Sequence, residues 1–230
     1  MNNYLKDFQK KLKHVSYSHG TYEIFSDFLV LSACSLFNSI HKDKDVEKTY
    51  QTVAERYKPD QLTKMSELFA LLVEALTASQ DDFLGVVYQE LELANSQGGQ
   101  FFTPDSLSQL ISQLLFHDVE RQAGRVTLIN EPACGSGGMI MASFNQLSTE
   151  DKEWTHIVAQ DVDIKCFYMT YIQLFLLGAS AEVVLGNTLK METIRVWRTF
   201  GYYALEMENK LKFDTFLSLC EEGNFLPKLI

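Results

Sequence analysis

Through residues 4–95 apolar positions recur at helical spacing. Ile24, Phe25, Phe28, Leu29, Leu36, Phe37 and Ile40 form one stripe, which predicts a helix with a core-facing side. A charged segment at 41–47 interrupts it. A second helix is predicted over 46–57, ended by Pro59, and a third over 62–76, with Leu68, Phe69, Leu72 and Leu76 on one face. Asp81 and Asp82 stand where a cap for a fourth helix over 83–94 would sit. Packing accounts for these stripes without a binding groove. After a loop at 95–99, Thr103, Pro104 and Asp105 supply an N-cap, a first helical residue and a carboxylate for the dipole. The helix they open is predicted to run through Leu107, Leu110, Ile111 and Leu114 to about 116.

From residue 125 the period changes. Short β-branched runs at 126–129, 155–159 and 182–185 alternate with helical patterns at 139–147 and 164–177. That alternation predicts parallel strands joined by crossover helices. Beyond Lys190 the pattern is weak; it suggests a strand at 202–205 and a helix at 213–220. The expected organisation is therefore a helical N-terminal domain, 1–95, followed by an α/β domain, 96–230.

Composition adds little to this: 46% hydrophobic and 22% charged residues are ordinary for a globular chain. The net charge of −10 matters more, because of where it falls. Residues 1–80 carry ten Lys/Arg and ten Asp/Glu, so residues 81–230 hold the whole deficit, ten against twenty. A protein that grips DNA unaided usually presents a basic face. The tightest basic group is Lys6, Lys10, Lys11, Lys13 and His14, which reads as a solvated helix face. Cys34, Cys134, Cys166 and Cys220 show neither C-x-x-C nor zinc spacing, so they are expected to be reduced thiols of a cytoplasmic protein. No signal peptide is expected at the start of the chain, nor an apolar run that reaches the roughly 20 residues of a membrane span.

Chemistry concentrates at the predicted strand ends, where open α/β sheets bind ligands. After the first strand come Glu131, Pro132, Ala133, Cys134, Gly135, Ser136, Gly137 and Gly138, then a helix. Glycines there let the backbone turn with positive φ and approach a ligand, and the helix N-terminus offers free N–H groups. Asp161 ends the second strand, where a carboxylate can accept hydrogen bonds from ribose hydroxyls. Asn187 ends the third, where an amide can meet an adenine edge. Separately, Asp161 could cap the next helix and Asn187 could make a turn; three such signals in register favour an adenosine-containing cofactor. The turn lacks G-x-G-x-x-G spacing, and its acidic residue would repel a pyrophosphate. A cationic amino or sulfonium group suits it better, and S-adenosyl-L-methionine has both.

Four segments in this order, Gly99-Gln100-Phe101-Phe102-Thr103-Pro104, Glu131-Pro132-Ala133-Cys134-Gly135-Ser136-Gly137-Gly138-Met139, Gln160-Asp161-Val162-Asp163 and Gly186-Asn187-Thr188-Leu189, resemble the cofactor motifs of adenine-N6 DNA methyltransferases. Within that family the chain is most similar to the modification subunits of type I restriction–modification systems, and Phe83-Leu84-Gly85 with Tyr88 adds to the likeness. The resemblance implies a partial, Rossmann-like S-adenosylmethionine-dependent methyltransferase sheet behind the helical domain. It implies that Phe102, Thr103 and Pro104 lie along the methionine end of the cofactor, and that Glu131, Pro132, Ala133 and the turn from Gly135 to Gly137 cradle it. Asp161 would hold the ribose and Asn187 the adenine amino group, with Asn in place of the Asp of many members.

Members of the family transfer the methyl group with an Asn/Asp-Pro-Pro-aromatic loop. The four prolines here, Pro59, Pro104, Pro132 and Pro227, are never adjacent, so that loop is absent and no catalytic residue is assigned. Tyr202 and Tyr203 are the only aromatic pair near its place, and read as core or edge-strand residues. Two functions follow from the resemblance. One is a methyltransferase component that needs a partner chain, with DNA bound only within the complex. The other is a non-catalytic module, such as an anti-restriction decoy or an assembly subunit. A truncated sheet would also leave the strand at 126–129 with an open edge, to be covered by the C-terminal segment, a second copy or a partner such as a methyltransferase or specificity subunit.

Overall fold

A computed structural model describes residues 2–94, 102–103, 105–116 and 124–221. The expected fold class is what the structure has: a helical N-terminal part, then helices around a four-stranded sheet. Five helices come first: α1 (Asn2–Lys13), α2 (Thr21–His41), α3 (Lys44–Ala54), α4 (Pro59–Ser79) and α5 (Phe83–Ala94). Their boundaries follow local chemistry. Asp43 caps α3 by accepting from the Asp45 and Val46 amides, and Pro59 opens α4 as its first residue. Phe8 of α1 meets Phe28 of α2 edge-on at 5.5 Å and Phe83 of α5 at 5.4 Å, so three helices share one aromatic centre. The basic group lies on the outer side of α1 and just beyond it, where Lys11 pairs with Glu67 at 2.6 Å. Such an exposed pair contributes little to stability.

One expectation fails here. Helix α2, 21 residues long, is apolar enough by length and composition to cross a membrane. Its apolarity has a use within the fold: Ile24, Phe25, Phe28, Leu29 and Phe37 are core residues. Asp27, buried on the same helix, receives the Tyr57 hydroxyl at 2.7 Å and the Arg56 guanidinium at 2.9 Å.

The remaining elements are α6 (Asp105–Phe116), β1 (Thr127–Glu131), α7 (Gly138–Asn145), α8 (Thr149–Glu153), β2 (Thr155–Asp161), α9 (Ile164–Leu176), β3 (Ala181–Asn187), β4 (Glu192–Arg198), α10 (Phe200–Ala204) and α11 (Met207–Glu221). The sheet order is β1-β2-β3-β4, with the first three strands parallel and β4 antiparallel to β3. Helix α9 is the hinge of the packing. Its residues from Cys166 to Leu174 are buried because it lies between the sheet and α2. Trp197 of β4 stacks on Phe37 of α2 at 4.3 Å, so helices and sheet share one core.

The fourth strand corrects the sequence reading. Residues 202–205 do not form a strand: Tyr202, Tyr203 and Ala204 belong to α10, and Tyr202 is buried against His156. The chain instead turns back at a short 3-10 helix, Thr188–Lys190, with Met191 at φ 55°, and pairs β4 beside β3. An antiparallel return needs only a short turn. Among the described strands β4 is an outer one, exposed at every position from Glu192 to Val196, so its short alternation of Ile194 and Val196 with Thr193 and Arg195 marks no buried face. Gly186 makes the return possible, because a Cβ there would collide with the Glu192 carbonyl at the register shift.

At the opposite side β1 pairs with β2 alone among the described residues. The Thr127 amide bonds the Trp154 carbonyl at 2.8 Å, so Thr127, Ile129 and Glu131 face β2. The backbone groups of Leu128 and Asn130 therefore point outward, and the Leu128 side chain is 59% exposed. Helix α11 is tied to the residues just before the strand, where Arg125 donates to the Asp214 carbonyl at 3.0 Å and to Ser218 Oγ at 3.1 Å.

On the face of the sheet towards α10, Glu182 lies beside His156 and Arg198. These two neighbours, His156 foremost, hold the Glu182 carboxyl down at about 2, against 4.5 for a free glutamate. By distance Arg198 Nε is the nearer at 2.7 Å, with His156 Nε2 at 3.8 Å. Folding lowers this pKa, so the cluster stabilises the fold above about pH 4.5, and that share is lost as pH falls towards 2. Urea denaturation followed from about pH 6 to about pH 3 is expected to show this decline, and Glu182→Gln to remove part of it. Identical pH slopes in the two proteins would refute the assignment.

Candidate functional site

The site is built where β1 ends. Gly135 at φ 56° and Gly137 at φ 94° take the left-handed conformation that the glycine spacing predicts, and α7 starts at Gly138. Hydrogen bonds tie this turn to the tip of β2 and to the residue that follows β3. The Cys134 amide donates to the Gln160 carbonyl at 2.9 Å, and the Gly135 amide to Asp161 Oδ2, also at 2.9 Å. Asp161 Oδ1 accepts from the Asp163 amide at 2.9 Å. From the third strand, Thr188 Oγ1 donates to the Pro132 carbonyl at 2.7 Å. The three strand tips therefore converge on one turn.

Phe102 lies over that turn. A Cβ on Gly135 would stand 3.0 Å from its ring, and the ring packs on Tyr88 of α5 at 5.4 Å between centroids. A hollow of about 150 Å³ opens beside it, lined by Phe102, Thr103, Glu131, Ala133 and Gly135 among the expected residues. Pro132, Gly137, Asp161 and Asn187 border the turn without lining this hollow, and Pro104 lies outside the described residues. Asn187 uses its side-chain oxygen to accept from the Lys190 amide at 3.1 Å, the turn-making role open to it from sequence. Ligand pockets usually measure about 300–1,000 Å³, so this hollow would hold only one end of a nucleoside cofactor. A larger apolar hollow, about 550 Å³, sits among α2, α3 and α4 and contains none of the strand-tip residues.

Sequence reasoning missed the support beneath the turn. Asp82, expected only as a possible helix cap, lines the hollow and receives the Ser136 hydroxyl and Gln173 Nε2, the latter at 2.9 Å. Gln173 was hidden inside the apolar pattern of α9; a fully buried amide on such a helix is the available clue. Cys134 sits in the turn, but burial pushes its thiol up to about 12, which leaves it unreactive. Among the described residues Cys34, Cys134 and Cys166 are free and buried, and no cluster suits a metal ion.

Parallel strands with a glycine turn after the first and a carboxylate ending the second define an open α/β protein of the Rossmann-like class. Residues 79–213 match the family model described as N-6 DNA Methylase, and the chain belongs to that family. It is 32% identical over 114 residues to the type I restriction enzyme MjaIX methylase subunit of Methanocaldococcus jannaschii, covering 46% of this chain. The chain spans only 19% of that relative's length. Among solved structures it is similar to a class I S-adenosylmethionine-dependent methyltransferase from Listeria monocytogenes, with TM-score 0.46, 16% identity and coverage of 79% of this chain and 52% of the other. It is also similar to a type I restriction–modification methyltransferase subunit from Streptococcus thermophilus, with TM-score 0.40, 13% identity and coverage of 77% and 55%.

Proposed function

We propose that the chain binds S-adenosyl-L-methionine at the glycine turn and serves as the cofactor-holding part of a type I DNA adenine-N6 methyltransferase. The observation that carries this reading is the convergence of three strand tips on the turn, with Asp161 on the Gly135 amide and Glu131 beside the hollow. The two carboxylates suit a cofactor that has ribose hydroxyls and a cationic end. Phe102 and Thr103, with Pro104, would follow the methionine end, and Pro132, Ala133 and Gly137 would complete the cradle. Asn187 would meet the adenine once its bond to Lys190 yields. Residues 1–95 would be a helical domain and 96–230 the methyltransferase-like one.

Methyl transfer needs a loop that grips a flipped adenine, and this sequence contains no Asn/Asp-Pro-Pro-aromatic motif. That loop would come from outside these residues. Among the described residues the outward backbone groups of Leu128 and Asn130 form an edge where a methyltransferase or specificity subunit, or a second copy, would continue the sheet. DNA would be bound within that complex, in the cytoplasm. The missing loop also favours a second reading, a non-catalytic module that holds cofactor or assembles with the complex.

Calorimetry with S-adenosylmethionine tests the first part. Binding is expected, and Asp161→Ala should weaken it about 10- to 150-fold, since a charge-assisted hydrogen bond contributes about 1.5–3 kcal/mol. No binding by the folded wild-type chain would overturn the reading. With labelled donor, methyl incorporation into DNA is expected only when the partner subunits are added. Incorporation by the chain alone would refute the need for them; none with partners would leave the non-catalytic reading.

A further inference from the structure

Asp82 belongs to the helical part of the chain, yet its carboxyl reaches the underside of the glycine turn. It precedes α5 and lines the hollow from below. Oδ1 accepts from the Gly85 amide at 2.9 Å and from Gln173 Nε2 at 2.9 Å. Oδ2 accepts from the Ser136 hydroxyl. Gln173 closes the ring: its Nε2 also donates to the Ser136 carbonyl at 2.9 Å, and its Oε1 accepts from the Leu84 amide at 3.1 Å. One clasp therefore joins the start of α5, the turn and α9.

The surroundings are shaped to admit this carboxyl. A Cβ on Gly85 would collide with both Asp82 Oδ2 and Ser136 Oγ, and one on Gly138 would stand 2.8 Å from Oδ2. Two glycines on different helices thus leave room for one side chain. No ammonium or guanidinium pairs with Asp82 among the described residues, and burial raises its pKa above the usual carboxylate range. A buried carboxyl held by hydrogen bonds alone is costly to keep unless its geometry matters. From above, α5 reaches the same turn through Tyr88, which backs the Phe102 ring over Gly135.

We propose that Asp82 is a positioning residue, which fixes the glycine turn in its ligand-ready shape from the helical part of the chain. Its consequence for affinity rests on the S-adenosylmethionine reading above. Asp82 need not touch the ligand. It acts through Ser136, whose backbone lies in the turn, and through Gln173, which holds the same residue from the other side.

Amide hydrogen exchange and calorimetry with S-adenosylmethionine, on the full chain, test this. Asp82→Ala is expected to speed exchange at residues 134–138 about tenfold or more, while α3 amides stay as in wild type. Affinity should fall about tenfold with it. Asp82→Asn keeps an acceptor for Gly85 and Gln173 and can donate to Ser136 Oγ, so it should remain within about threefold of wild type in both readouts. If Asp82→Ala does not fold, Ser136→Ala carries the same test, with a several-fold effect expected. Turn exchange unchanged in the tested variant, acceleration spread evenly over the molecule, or Asp82→Asn as loose as Asp82→Ala would overturn the proposal. Faster turn exchange in a protein whose wild type binds no S-adenosylmethionine would support the clasp and reject the cofactor reading.

Discussion

Trp197→Ala is expected to lower the unfolding free energy by about 4 kcal/mol, the usual cost of emptying a large aromatic site in a core. Trp197 is only 3% exposed. It stacks on Phe37 at 4.3 Å and meets Phe167 and Tyr171 edge-on at 5.1 and 5.0 Å. Those rings come from α2 and α9, while the indole comes from β4, so one side chain joins the helical part to the sheet. Helices pinned at several points relax little, and the cavity would stay largely open. For a chain of this size the melting temperature should drop by about 8–16 °C, at roughly 2–4 °C per kcal/mol. Urea denaturation with a loss under about 1 kcal/mol would show that the neighbours collapse into the space and that the junction does not depend on this ring.

Gln173→Leu should cost about 3 kcal/mol although leucine is close in volume and more apolar. The substitution leaves the Leu84 amide and the Ser136 carbonyl without their partner and takes one donor from Asp82. All of these groups are screened from solvent, and each orphaned buried group costs about 1–3 kcal/mol, against a smaller gain from apolar burial. Equilibrium denaturation measures the loss. A near-neutral result would mean that water enters and replaces the amide, and the clasp under the turn would then be weaker than its geometry indicates.

These two residues illustrate where sequence reading succeeds and stops. The stripe containing Phe37 on α2 is legible because helical periodicity repeats a local signal over 21 residues. The glycine turn is legible because Gly135 and Gly137 must adopt positive φ, which few residue types tolerate. Asp161 is legible because its first partner, the Gly135 amide, lies at the next strand tip in a parallel sheet, a position topology dictates. β4 is only faintly legible. Thr193, Ile194, Arg195 and Val196 alternate polar and apolar, but over four residues that are all exposed in the fold, whereas the aromatic pair Tyr202–Tyr203 imitates a strand and is helical. The apolar run of α2 is also hard to see in sequence, because Ser and Asp residues stand among its apolar positions.

Sequence alone determined the helical N-terminal part, the three parallel strands with their crossover helices, the glycine turn and the polar tips at Asp161 and Asn187. Each of these is written in spacing between neighbours, or in a residue type that the backbone itself demands. Tertiary structure decided the antiparallel return of β4, the burial of α2 against α9 and the clasp of Asp82, Ser136 and Gln173. The clasp joins residues 54 and 91 positions apart. Hydrogen bonds over such separations leave no period in the chain, so only the folded packing brings their donors and acceptors together.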